Sequence, residues 1–165
     1  MPSSGSRERA FAVGYDRRVF RSIVVGTDGS DTATQAVRQA VGLARAVGAN
    51  LELVSAYEPV PEQRLAEERR SAPSDAQWAI GPREDVDATL EAAAAIAREE
   101  GVEVELCPRQ GDPADAILDV AEEREADLII VGNKGMTGAK RFLLGSVPNK
   151  ISHHAPCSVL IIRTT

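Results

Sequence analysis

Gly132-Asn133-Lys134-Gly135 and Gly145-Ser146, with nine residues between them, follow the apolar run Asp127-Leu128-Ile129-Ile130-Val131. Glycine has no Cβ, so main-chain N–H groups around it can approach an anion closely. A helix N-terminus adds unpaired donors and the positive end of a dipole. A buried strand that ends in glycines, and a later glycine and hydroxyl residue that open a helix, can thus make room for phosphates. A second polar cluster, Thr27-Asp28-Gly29-Ser30, closes the β-branched run from Val19 to Gly26. Asp28 can accept from ribose hydroxyls or an adenine amine, and Lys134 can place a point charge on phosphate oxygens. Ser146 adds a hydroxyl beside the helix start. The chemistry these residues share is nucleotide binding.

Alternating strand and helix signals must bring the clusters together. Val19 to Gly26 reads as the first strand. From Asp31 to Val47 the apolar residues Ala33, Ala36, Val37, Ala40, Val41, Ala44 and Val47 recur at helical spacing, and Gly48 stands where a C-cap glycine belongs. Leu51 to Tyr57 is the second strand. The stretch at about 59–83 carries Pro, Ser, Glu and Arg without a clear period and holds Trp78, the one tryptophan. It reads as a long loop insertion with a short helix around Arg64 to Arg69, either a lid over a ligand or a solvated excursion. Glu84 to Glu100 resumes helical spacing. Val102 to Cys107 alternates as a half-exposed edge strand does. Gly111-Asp112-Pro113 supplies turn, N-cap and first helical residue in order. Leu128 to Val131 is a continuous apolar strand suited to a central position. A last helix opens at Gly145-Ser146, with Ser146 as its N-cap, and Ala155-Pro156 ends it. Cys157 to Ile162 is a fifth strand.

Strand and helix in alternation demand a parallel sheet with right-handed crossovers and helices on both faces. Ligands of such sheets settle outside the C-terminal strand ends, where the strand order reverses. If the first and fourth strands flank that point, Gly26-Thr27-Asp28, Gly132 to Gly135 and Gly145-Ser146 face one crevice.

Composition sets the limits. The 165 residues fit one domain, 43% hydrophobic and 27% charged, and the 4% aromatic content leaves its core to Val, Ile, Leu and Ala. A net charge of −6 argues against a nucleic-acid surface. Cys107 and Cys157 form no CxxC pair, which points to a reducing, cytoplasmic setting. Residues 1–18 hold four arginines and no apolar block fit for a signal peptide, and read as a disordered N-terminal extension to a domain at 19–165. No segment has the length and apolarity of a membrane helix.

Gly132-x2-Gly135-x9-Gly145-Ser146 resembles the ATP-binding signature of the universal stress protein family. Val24-Val25-Gly26-Thr27-Asp28-Gly29-Ser30, Gly111-Asp112-Pro113 and His154-Ala155-Pro156-Cys157-Ser158-Val159-Leu160 resemble it as well, and the likeness runs from Val19 to Arg163. The resemblance implies a Rossmann-like α/β three-layer sandwich with a five-stranded parallel sheet ordered 3-2-1-4-5. It also implies an adenine nucleotide in the crevice and a homodimer. Carried over by position, Thr27 and Asp28 would contact ribose and base with Gly26 leaving room beside them, and Ala56 would offer backbone groups to the adenine edge. Val131, Gly132, Lys134 and Gly135 would line the phosphate path, and Gly145, Ser146 and Val147 would hold the terminal phosphates. The ligand so implied is ATP, with or without magnesium, and cyclic AMP or AMP are the alternatives. The dimer would form through the C-terminal edge strand, Ser158 to Ile162. The extension and the 59–83 insertion depart from the family pattern.

Plainer readings stand beside these. Strand-end glycines often serve turns alone, Asp28 can simply cap the first helix, and Lys134 can be solvated. His153, His154 and Cys157 have the side chains of metal ligands but fall at a helix end and a strand start. The chain has no Walker loop, no kinase motif set and no GxGxxG after its first strand, so the expectation is a stress-response binder and regulator with at most slow hydrolysis. An adenylating α-hydrolase and a nucleotide-free structural adaptor are the competing classes.

Overall fold

The computed structural model describes residues 19–74, 81–134 and 143–164. Five parallel strands, β1 (Ser22–Gly26), β2 (Asn50–Tyr57), β3 (Val104–Gln110), β4 (Leu128–Gly132) and β5 (Ser158–Ile162), form one sheet in the order β3-β2-β1-β4-β5. The helices are α1 (Asp31–Val47), α2 (Glu62–Ser71), α3 (Pro82–Glu99), α4 (Pro113–Glu123) and α5 (Ser146–His154). This is the three-layer α/β arrangement that the alternation demanded, with the order the resemblance implied.

Alternating strand residues feed two cores. Ile23 and Val25 of β1, Leu51 and Leu53 of β2 and Ile130 of β4 meet α1 and α3 on one face. Val24, Val54, Cys107 and Ile129 meet Ile117 and Val120 of α4 and Ile151 of α5 on the other. Every residue of β1 and β4 is buried, as strands covered on both sides must be.

Local signals set the helix ends. Ser30 accepts the Ala33 N–H to cap α1, and Gly48 ends it in the left-handed region at φ 69°, which costs glycine little. Asp112 caps α4 by accepting from Ala114 and Asp115, with Pro113 at the first position. Other boundaries differ from expectation. β1 begins at Ser22, because Val19 is 75% exposed and Phe20 turns against the α1–α3 core. β3 starts two residues later than Val102 and runs past Cys107 to Gln110. Pro108 is tolerated inside it because β3 is an edge strand. Within the insertion, α2 extends the short helix expected around Arg64 to Arg69 by a turn or less at either end, buries no residue, and carries an Arg64–Glu68 ion pair at 3.5 Å. The N-terminal extension at 1–18 and Trp78 lie outside the described residues.

Candidate functional site: the crevice above the central strand

The first crossovers run from β1 through β2 to β3 on one side, and the chain then returns to build β4 and β5 on the other. The reversal falls between β1 and β4. β1 is also short at its carboxyl end: its last residue, Gly26, aligns with Val54 of β2, and β2 continues through Ser55, Ala56 and Tyr57. A notch is left above β1, between the overhanging end of β2 and the end of β4.

Thr27 leaves β1 and stays on the notch wall, its N–H donating to the Val54 carbonyl at 2.9 Å. Its Oγ1 accepts the Gly29 N–H at 3.2 Å, and Asp28 Oδ1 accepts the Ser30 N–H at 3.0 Å. Asp28 thus shapes the loop while Ser30 caps the helix, so the plain reading of Asp28 as the cap does not hold. Thr27 is buried and Asp28 is exposed at the mouth.

The far wall is the end of β4. The Asn133 carbonyl accepts the Gly145 N–H at 2.9 Å, and a Cβ on Gly145 would sit 3.3 Å from the Lys134 Cα. The Gly132–Lys134 segment and the start of α5 are therefore in contact, as the glycine spacing required. Gly145, not Ser146, is the N-cap of α5, and it brings no side-chain cap. Ser146 is consequently the first helical residue: its N–H and that of Val147 join the orphan donors of the first turn, and its hydroxyl stands exposed beside them. The neighbouring α4 satisfies its own first turn with Asp112.

The glycines also serve from behind. A Cβ on Gly26 would lie 2.3 Å from Ile117 Cδ1, so the room it leaves is taken by the core and not by a ligand. A Cβ on Gly132 would meet Thr32 Cγ2 at 2.6 Å, and the Thr32 main chain at 3.2 Å. Val131 and Gly26 adjoin across the strand ends, with Val131 Cγ1 3.5 Å from that added Cβ position. Of the expected site residues, Gly26 and Thr27 lie at the end of β1, Gly132 and Lys134 meet Gly145 at the start of α5, Asp28 and Ser146 are exposed, Val131, Ala56 and Val147 pack with the α4–α5 core, and Gly135 lies outside the described residues.

Fixed charges hold the surroundings. Lys150 of α5 reaches Asp112 at 3.3 Å and Asp115 at 2.6 Å, fastening α5 to α4. The Asp115 N–H, helped by Lys150 and the Ala114 N–H, holds the Asp112 carboxyl below its ordinary range. Burial pushes both thiols, Cys107 and Cys157, upward, which disfavours the thiolate. Among the described residues no group of three or more His, Cys, Asp or Glu converges as a metal site would, and no described helix is long and apolar enough to cross a membrane. A cleft of about 380 Å³ lies between α1 and α3, lined by Val37, Ala88, Thr89, Ala92 and Ile96 and, on the crevice side, by Thr27 and Gly29.

An open parallel sheet whose loops gather at a strand-order reversal defines a doubly wound α/β protein with its crevice at the switch point. The chain belongs to the universal stress protein family, Usp, which it matches over residues 20–163. It is 37% identical over 147 residues to the universal stress protein Rv1636 of Mycobacterium tuberculosis H37Rv, covering 88% of this chain and 98% of that one. Among solved structures, a universal stress protein in complex with cAMP is 33% identical at a TM-score of 0.67, covering 89% of this chain and 99% of that one. The universal stress protein of Archaeoglobus fulgidus in complex with dAMP is 27% identical at a TM-score of 0.61, covering 87% and 98%.

Proposed function

We propose that the chain binds an adenine nucleotide in the crevice above β1 and acts as a stress-response sensor or regulator, with ATP as its ligand. The observation that carries this reading is the junction of Asn133 and Gly145 at 2.9 Å, which sets the glycine loop against the uncapped start of α5. The first-turn donors of α5, which no side chain caps, then stand beside the loop where a phosphate chain would run. Thr27 and Asp28 take ribose and base, Ala56 the adenine edge, Val131, Gly132, Lys134 and Gly135 the phosphate path, and Gly145, Ser146 and Val147 its end. The relatives solved with cAMP and dAMP support the adenine preference.

The protein is a binder and not an enzyme in this reading. Asp28 already shapes its own loop, and the described crevice residues include no histidine and no nucleophile hydrogen-bonded to a base. The free thiols Cys107 and Cys157 suit a reducing cytoplasm. A cyclic AMP ligand is the second reading, favoured by the cAMP complex of the 33% identical relative. One phosphate makes less use of Gly145 and Ser146 than three.

Calorimetry with ligand-stripped protein separates these readings. ATP, with and without magnesium, AMP and cyclic AMP are titrated into wild type and Ser146→Ala. Loss of the hydroxyl should weaken ATP about fivefold, the worth of one hydrogen bond, and leave cyclic AMP nearly unchanged. No heat from any adenosine compound would overturn the proposal.

The same reading includes a homodimer. β5 ends the sheet with an open ladder edge, and Leu160 on it is 40% exposed. Antiparallel pairing with the twofold mate would cover both. Leu160→Lys should give a monomer by light scattering; a persisting dimer would move the interface elsewhere.

A further inference from the structure

Asn133 takes part in more joins than its place between two expected ligand residues requires. Its N–H donates to the Ile162 carbonyl at the end of β5, at 2.9 Å, and its carbonyl accepts the Gly145 N–H that starts α5, at 2.9 Å. Its side-chain Oδ1 accepts the Thr164 N–H at 3.3 Å and the Thr164 hydroxyl at 3.4 Å. The Thr164 Oγ1 lies 3.0 Å from Thr32 Oγ1 in the first turn of α1. With the Thr164 proton on Asn133, the Thr32 hydroxyl donates to Thr164, so the two threonines form a relay ending on Oδ1. Thr32 is buried, and its main chain is the surface against which Gly132 closes. One side chain and its own peptide groups thus tie the ends of β4 and β5 to the starts of α1 and α5.

The donors that would grip phosphate can only be useful if held still. Among the described residues, the segment after Gly132 is fastened through Asn133. We infer that Asn133 is a positioning residue that sets the Gly132–Lys134 loop against the N-terminal turn of α5, and through Ile162 and Thr164 transmits crevice occupancy to the edge strand β5. This rests on the nucleotide-binding reading. A ligand that pulls the loop inward pulls on the same bonds that hold the last residues of β5. Occupancy and the order of that edge are then linked, and each must strengthen the other to the same degree.

The test uses full-length wild type, Asn133→Ala, Thr164→Val and Thr164→Ser. ATP affinity is measured by calorimetry, and amide exchange over 158–164 is followed by mass spectrometry with and without ATP. Wild type should bind and show slowed exchange over 158–164 on adding ATP. Asn133→Ala and Thr164→Val should bind about five- to tenfold more weakly, the range expected for one or two lost hydrogen bonds, and should lose the ATP-dependent slowing. Thr164→Ser keeps both donors and should behave as wild type. Thr164 lies after the last strand, so its Val variant keeps the test decisive if Asn133→Ala fails to fold. A merely structural role would lower thermal stability and leave the ATP-dependent slowing in place. Unchanged affinity and slowing in both variants would overturn the coupling alone, whereas silence of the wild type towards every adenine nucleotide would overturn the binding reading together with it.

Discussion

At the amino ends of the strands charged side chains add to the main-chain bonds from Asn50 to Arg21 and from Asp127 to Ser22, whereas beside the crevice at the carboxyl ends of β1 and β4 main-chain bonds do most of the joining and the ion pairs of Lys150 lie off to the α4 side. Asp127, just before β4, accepts the N–H groups of Arg21 and Ser22 at 2.7 and 3.0 Å, fixing the start of β1. Arg124, at the end of α4, pairs with Glu105 of β3 beside the buried Glu52 of β2, which in turn accepts the Ser22 hydroxyl at 3.4 Å. At the other end, Thr27 N–H to Val54, Asn133 N–H to Ile162 and Gly145 N–H to Asn133 do the joining, all at 2.9 Å. On the proposed reading, an acidic side chain on the walls between β1 and β4 would repel the anion bound there, whereas the amino end carries no such restriction. On that reading one end of the sheet serves stability alone, and the other also has to leave room for a ligand.

Gly132→Val should break that division most severely, because its side chain would press on the Thr32 main chain, only 3.2 Å from the Cβ position. Overpacking of this kind should cost about 2 to 3 kcal/mol in urea unfolding and abolish nucleotide binding as well. Asp127→Ala should separate the two ends. Loss of its charge-assisted bonds should lower stability by about 1.5 kcal/mol while calorimetry finds the nucleotide affinity of wild type. The acid limb of stability should change with it. The Arg21 and Ser22 N–H groups, with the Arg21 charge, hold the Asp127 carboxyl below its ordinary value. Its contribution is therefore present above the unfolded carboxylate range and lost as the pH falls towards the folded value, so the variant should show a shallower acid loss.

Glu52→Gln should give the smallest effect, of opposite sign. Burial raises the Glu52 pKa above its ordinary 4.5, against the Ser22 hydrogen bond and the Arg124 charge, which lower it. The folded state then binds the proton more tightly than the unfolded one, and stability rises as the pH falls through that window. Gln removes the buried charge and should gain about 0.5 kcal/mol at pH 7 and abolish the rise, as read from unfolding between pH 4 and 7.

Much of this fold was legible because its signals are local. Gly48, Asp112-Pro113 and the period of α1 each fix a boundary within a few residues, and the structure has them where the sequence places them. The glycine spacing likewise brought Gly132 and Gly145 to one place. What escaped depends on partners distant in the chain. Asn133 stood between two expected ligand residues without being singled out, since its partner Thr164 is 31 residues away and nothing in either residue type announces the bond. Ser146 was expected as the cap, on side-chain preference, but Gly145 is the extended residue whose carbonyl accepts the Asn149 N–H at 3.1 Å, which gives Gly145 that position. The extension of β3 to Gln110 was hidden by Pro108, which reads as a breaker until the strand is known to lie at the sheet edge.

Ile117 and Thr32 occupy, from opposite layers, the volumes that side chains at positions 26 and 132 would need. The seat of the crevice is thereby a stop, firm at position 132, where the Thr32 main chain stands 3.2 Å from the Cβ position, and softer at position 26, where the end of the Ile117 side chain can move. Diversification of ligand choice in this scaffold has little freedom there. On the proposed reading it would work on the rim, at the exposed Ser146, whereas a change at Asp28 would also give up its bond to the Ser30 N–H.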